Sequence, residues 1–409
     1  MQAFFLIISL IINPYILLLI NSSVTNIKFP KIYSLFIVIY FFIFTNLRNF
    51  MEGFLYVSSG DDADDYVLGG IRIMNNYSIF DILSGKADGP LEHIDRIFAL
   101  FQLFLVKIFP ATNIPIICNI IFGILFLLSL YTIPLISKGL INLKTNILIS
   151  IIVLNPYIIY LNQHLYRQAI ALGVFISVSL PYLLNFSIKK NNQKNIKSTS
   201  IFLFISIMLV LGLHRGSMIP LIILISSSVF LSTGIFKQIY ILITRLVISK
   251  KRLLLTSSLI GTSILSLFFA KKYIDIFLIY VFYNLNSRST SVGLRTSLLG
   301  FLISIFVIYT VINYPLKETF KPFLKKVIFN FSIFNLLIST FCILTQGGFV
   351  RFLFTSNILS LFAITLTHNF NRKLFNLFTF FIGFLTYFFY VFLREGFWGK
   401  GNYFFPYFY

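Results

Sequence analysis

Apolar runs of about 15–24 residues follow one another along almost the whole chain, separated by short polar loops. Wound as an α-helix at about 1.5 Å per residue, such a run covers a hydrocarbon core of roughly 30 Å. Backbone amides in lipid must find partners inside the protein, which leaves helices or a closed barrel. The apolar–polar alternation that a barrel needs is absent. With 58% hydrophobic and only 11% charged residues, the 409-residue chain cannot hide its apolar surface in a soluble core. The expected fold is an all-α polytopic integral membrane protein, a single domain over residues 1–409.

Spans are expected near 3–20, 31–47, 114–137, 145–161, 167–187, 200–213, 217–234, 253–270, 298–314, 327–345, 350–367 and 374–393, about twelve transmembrane helices. The N-terminal run has no Lys or Arg before it and no small-residue cleavage site, so it reads as a retained helix. The segment 96–110 is different: at about 22 Å it is short of a crossing, and it carries Gln102 and Lys107. It is expected to be re-entrant or interfacial. Cys118 and Cys342 stand inside apolar segments and read as small core residues.

Charge sets the orientation. The net charge of +21 is split among short loops and does not gather on one face, which argues against a nucleic-acid partner. Loops 21–31, 138–146, 189–197, 237–252, 317–326 and 368–373 fall on one side if 96–110 does not span, and the positive-inside rule makes that side cytoplasmic. These loops hold 16 Lys and 3 Arg, whereas the outer face and its helix mouths hold 9 Arg and 5 Lys. Lysine inside is what topology asks for. Arginine outside needs another reason, and its planar fork suits phosphate or carboxylate. The outer surface therefore reads as an anion-binding vestibule.

The large outer loop after the second span, 48–95, holds nine of the twelve acidic residues. Its cluster Asp61, Asp62, Asp64 and Asp65 lacks the glycine and closing glutamate of an EF-hand. A solvated turn, a divalent-cation site and a sugar-binding or general-base carboxylate all remain open for it. Three further polar knots interrupt the apolar runs: His164, Arg167 and Gln168; His214 and Arg215; and Gln346 to Arg351. Each arginine alone is accounted for by snorkelling to lipid phosphates or pairing with the acidic loop. All three at helix mouths, with His and Gln beside them, point to a shared site for a diphosphate presented from the bilayer. His214, with an unperturbed pKa near about 6.5, is able to take a proton from an attacking hydroxyl. No nucleotide-binding glycine loop, HExxH or Ser-His-Asp pattern is present, and no cofactor is expected.

These motifs, in their order, resemble the EpsG-type family of bacterial polysaccharide polymerases, which share a role with the Wzy O-antigen polymerases. Gly60, Asp62 and Tyr66 resemble its Gly-x-Asp…Tyr element, and Asp95 with Phe98 an acidic residue and aromatic opening the next hydrophobic segment. Arg167-Gln168-Ala169-Ile170-Ala171 resembles the Arg-Gln-x-x-Ala signature, His214…Ser217…Pro220 the histidine element, and Arg351-Phe352 the late Arg-aromatic element. The set covers residues 50–365. The chain departs from the pattern in having His164 where asparagine is usual, Tyr56-Val57-Ser58-Ser59 where an arginine is usual, and Arg215 directly after the histidine.

The resemblance implies a glycosyltransferase-type polymerase in the bacterial cytoplasmic membrane. It would join undecaprenyl-diphosphate-linked oligosaccharide units at the outer face, making O-antigen, capsule or exopolysaccharide. Flippase and chain-length regulator proteins are the further partners implied. In that setting Arg167, Arg351 and Arg215 would hold the diphosphate, and Gln168, His164, Tyr66 and Asp95 would bind substrate. His214 or Asp62 would activate the acceptor hydroxyl. The rival readings are an O-antigen ligase and a flippase for lipid-linked sugars.

Overall fold

A computed structural model describes residues 76–84, 95–110, 114–136, 148, 151–152, 155, 157–158, 161, 165–188, 196–234, 291–344 and 350–392. The expected spans at 3–20, 31–47 and 253–270 lie outside these residues, and 145–161 is described only at single positions. The described chain is helical, with no strand and only two isolated bridges, Ile188 to Phe320 and Leu316 to His368. In chain order the helices are α1 (Ile79–Ser84), α2 (Arg96–Ile108), α3 (Ile114–Ile136), α4 (Tyr166–Val174), α5 (Leu180–Phe186), α6 (Ile196–Leu213), α7 (Arg215–Ser232), α8 (Ser291–Asn313), α9 (Phe323–Leu344), α10 (Val350–Thr367) and α11 (Arg372–Phe392).

Helices α4 and α5 form one rod from Tyr166 to Phe186, joined by a π turn over Phe175–Ser179. That rod, α7 and α9 are long and apolar enough to cross a membrane. The π turn has a local cause. Pro181 has no N–H to return to the carbonyl of Ser177, and the amide of Leu180 reaches five residues back to Phe175. The hydroxyl of Ser179 bonds that of Ser206 at 2.9 Å, tying the turn to α6. Helix α2 is short: thirteen residues cover about 20 Å, less than a hydrocarbon core.

Large apolar side chains also face outwards, and polar residues are buried among the apolar core. Phe202, Phe204, Ile205, Ile223, Leu337 and Phe380 are exposed, while Asn119, Asn335, Ser339 and Asn357 are fully buried. Helices sharing a lipid-like surroundings gain nothing by hiding leucine from each other; they pack through small residues and hydrogen bonds. Helices α8, α9 and α10 pack together with α7 against the last two, and α3 and α6 flank the α4–α5 rod. Phe126 of α3 meets Phe362 of α10 edge-on at 5.7 Å, joining the two groups.

One end of this bundle is a lysine clasp. The last carbonyls of a helix lack intrahelical donors. Lys317 answers two of them, its backbone N–H donating to Thr367 at 2.9 Å and its Nζ to Leu366 at 2.9 Å. Lys321 does the same for the rod, through its N–H to Ser187 at 2.8 Å and Nζ to Phe186 at 3.1 Å. The chain after residue 187, the 314–322 loop and the 367–371 loop thus meet at one end. The rod carries its first residue, Tyr166, about 30 Å from that end.

His368 is sealed into the clasp, with Nδ1 3.0 Å from the hydroxyl of Thr367. Burial first, then the positive charges of Lys325 and Lys317, lower its pKa from 6.5 to about 4. A depressed folded-state value means that the unfolded chain binds the proton more readily. The stability contribution is complete above about pH 6.5 and is lost as pH falls towards about 4. Thermal unfolding followed from pH 7 to pH 4.5, about the span over which this group titrates, is expected to show a falling Tm. His368→Gln is expected to flatten that slope.

Candidate functional site

The opposite end gathers the first turns of helices. Asp95 precedes α2, Arg167 is the second residue of α4, and Arg215 opens α7. Arg351 is the second residue of α10, whose last residue Thr367 sits in the lysine clasp, so its backbone lies towards this same end. A side-chain cation at a helix N-terminus opposes the positive end of the helix dipole. Two such cations side by side require an anion.

Asp95 is that anion. Its Oδ1 accepts from Arg215 twice, from Nε at 2.9 Å and from the backbone N–H at 3.0 Å. Its Oδ2 lies 3.9 Å from Nη1 of Arg167. The carboxylate is only 4% exposed, whereas the Arg215 side chain is 52% exposed and that of Arg167 is 20%. Arg167 also stands over the ring of Phe98 at 6.0 Å, a cation–π contact. Burial raises the Asp95 pKa above its ordinary value, against the backbone and guanidinium of Arg215 and the charge of Arg167, which pull it down.

The approach of α2 to α6 sets this pairing. Gly212 meets the side chain of Ile97 so closely that a Cβ there would collide with it. With residues 97 and 212 in contact, Asp95 comes level with Arg215. The Arg215 side chain, half exposed, presents its outer fork to the surroundings.

His214 lies between α6 and α7 and caps α7 with its ring. Nδ1 accepts from the backbone N–H of Ser217 at 3.2 Å and lies 2.8 Å from the Ser217 hydroxyl. Gln168 follows Arg167 but is buried within the bundle. Asp95, Arg167 and Arg215 are therefore brought together, with His214 adjoining Arg215 in the chain. Asp62, Tyr66 and His164 lie outside the described residues, as does the side chain of Arg351.

Two partners were given no role by the sequence alone. Ser217, named in the histidine element, is one; it stands three residues after the cap, where the partner in a capping box stands. Arg96 is the other: its Nη1 donates to the carbonyl of Leu83 at 3.1 Å and holds α1 on the start of α2. Comparison of the chain with protein-family models, with curated proteins and with solved structures finds no match.

Proposed function

We propose that this chain is a polysaccharide polymerase of the outer face of the bacterial cytoplasmic membrane, with about twelve spans and both termini outside. It joins oligosaccharide units carried on undecaprenyl diphosphate. The observation that carries the reading is the paired Arg167 and Arg215 around buried Asp95, at the helix starts opposite the lysine clasp. The exposed fork of Arg215 stands where a lipid diphosphate would arrive.

In the reaction an acceptor hydroxyl attacks the anomeric carbon of the donor sugar. The new C–O bond forms as the bond to the diphosphate breaks, and the electron pair leaves on the diphosphate. The hydroxyl proton passes to a base, for which Asp62 and His214 are the candidates. The leaving group is already good, so positioning and charge stabilisation supply most of the catalysis. Arg167, Arg215 and Arg351 serve the diphosphate, and Gln168, His164 and Tyr66 are assigned to substrate binding.

The test is electrophoresis of surface polysaccharide from a deletion strain carrying either the intact chain or Arg167→Ala. Arg167→Ala is expected to yield single repeat units in place of a ladder. Loss of every outward-facing lipid-linked unit would sink the polymerase and favour a flippase.

A further inference from the structure

We propose that the lysine clasp binds the phosphate of an anionic phospholipid, held by Lys317 and Lys325 beside His368. The inference goes beyond the polymerase reading and does not depend on the chemistry at the opposite end. Residues 314–326 and 367–373 carry Lys317, Lys321, Lys325, Lys326, Arg372 and Lys373 against a single acid, Glu318. Glu318 forms no ion pair among the described residues. Topology accounts for lysines free in water, but not for one folded into the protein. Lys317 is such a one: its Nζ is fastened to the Leu366 carbonyl, and burial lowers its pKa from 10.5 to about 8. A carboxylate in contact would hold that value up; here burial acts unopposed. Lys325 stands in the first turn of α9, where the helix dipole also disfavours a cation.

His368 gives a second sign of a missing anion. Thr367 donates its one hydroxyl hydrogen to the Ala363 carbonyl at 2.6 Å, so it accepts from Nδ1–H of His368. Nε2 is left with a lone pair, fully buried and without a hydrogen-bond partner among the described residues. It gains a hydrogen only by taking up a proton, which the charges of Lys325 and Lys317 oppose. An anion on the two ammoniums removes that opposition. Depth identifies the source of the anion. Helix α9 and the α4–α5 rod are each long enough to cross the hydrocarbon core, about 30 Å, so their clasp ends lie at the level of lipid phosphates. Ile312, in the last turn of α8, is 60% exposed at this same end, where acyl chains cover it. Basic pockets between membrane helices suit lipid headgroups for this reason.

Native mass spectrometry of the full chain in detergent micelles tests this, with phosphatidylglycerol titrated against phosphatidylcholine of the same acyl chains. The anionic lipid is expected to bind about tenfold more tightly. Lys317→Gln and Lys325→Gln are each expected to weaken it about fivefold, the worth of one basic side chain near an anionic headgroup. Lys325 holds no carbonyl of the clasp, so Lys325→Gln decides the matter if Lys317→Gln fails to fold. Lys107→Gln, on α2, is expected to keep the full preference. Equal affinity for the two lipids, or a preference unchanged in Lys325→Gln, overturns the site. An equal loss in Lys107→Gln shows diffuse attraction and overturns it too. Displacement by equimolar inorganic phosphate assigns the site to a free anion and overturns the lipid. In nitrogen-15 histidine-labelled protein, phosphatidylglycerol is expected to move the titration of His368, identified by its loss in His368→Gln, to higher pH. An unmoved titration overturns the placement beside His368.

Discussion

Asp95→Ala is expected to lower chain elongation about a hundredfold, the scale on which an ångström of misplacement in a reacting group is felt. Asp95 fixes Arg215 through two donors on one oxygen and draws Arg167 to the other. Without it, two cations face each other at helix N-termini, where the dipoles repel them as well. Arg215 then swings into solvent, and Arg167 loses its carboxylate while its contact with Phe98 remains. Breaking a fully buried pair costs about 3–5 kcal/mol. Arg215 is half exposed, so solvent screening cuts this to about 1–2 kcal/mol of stability. Anion affinity moves differently: the carboxylate competes with any diphosphate, so pyrophosphate is expected to bind Asp95→Ala at least as tightly at low salt. Asp95→Asn keeps an acceptor oxygen and loses the charge, and should fall between the two. Product-ladder length, Tm and pyrophosphate titration check the three parts. Full elongation with an unchanged Tm in Asp95→Ala would show that the cluster does not organise the site.

Much of this end of the molecule was legible because cations interrupting apolar runs are rare and costly. Arg167 and His214-Arg215 marked the helix starts at 166 and 215 for that reason, and α10 begins and ends where its apolar run does. Where polar residues flank a run, the boundary moved: α6 begins at Ile196 and α8 at Ser291, several residues before their apolar segments, because helical hydrogen bonding continues through Lys197 and Arg295. Pairing of the arginines with the acidic loop was one of the expected readings, but that Arg215 in particular meets Asp95 was not legible: the two lie 120 residues apart and are aligned by the fit of Ile97 on Gly212, a packing event with no periodicity to betray it. Nor was the polar interior. A helix that is apolar on all sides has no stripe to show which face is inward, so Asn335, Ser339 and Asn357 read simply as members of spans.

That interior leaves Gly300 little room for a side chain. A Cβ built on it would lie 2.8 Å from Asn357 Nδ2, 2.9 Å from Ser339 Oγ and 3.0 Å from the Tyr157 hydroxyl. All three residues are buried, and their surroundings resist movement. Asn357 Oδ1 lies 3.4 Å from the Ser304 hydroxyl, which itself bonds the carbonyl of Gly300 at 2.8 Å. On the neighbouring helix, Asn335 holds Ser360 at 2.9 Å. Alanine gains about 1 kcal/mol over glycine in an exposed helix interior. Overpacking a tight core costs about 1–3 kcal/mol, and here the displaced atoms are polar groups with no water to turn to. Gly300→Ala is therefore expected to lower stability by about 1–2 kcal/mol. Gly300→Val, with two further methyls and a stiff χ1, is expected to prevent α8, α9 and α10 from closing. Ile305→Ala, at an exposed position of the same helix, should leave Tm nearly unchanged, since surface substitutions stay within about 0.5 kcal/mol. Thermal-shift curves of the purified variants decide it: a Gly300→Ala protein as stable as the unaltered chain would mean that the three polar side chains move aside freely, and that α8 is not locked to its neighbours at this point.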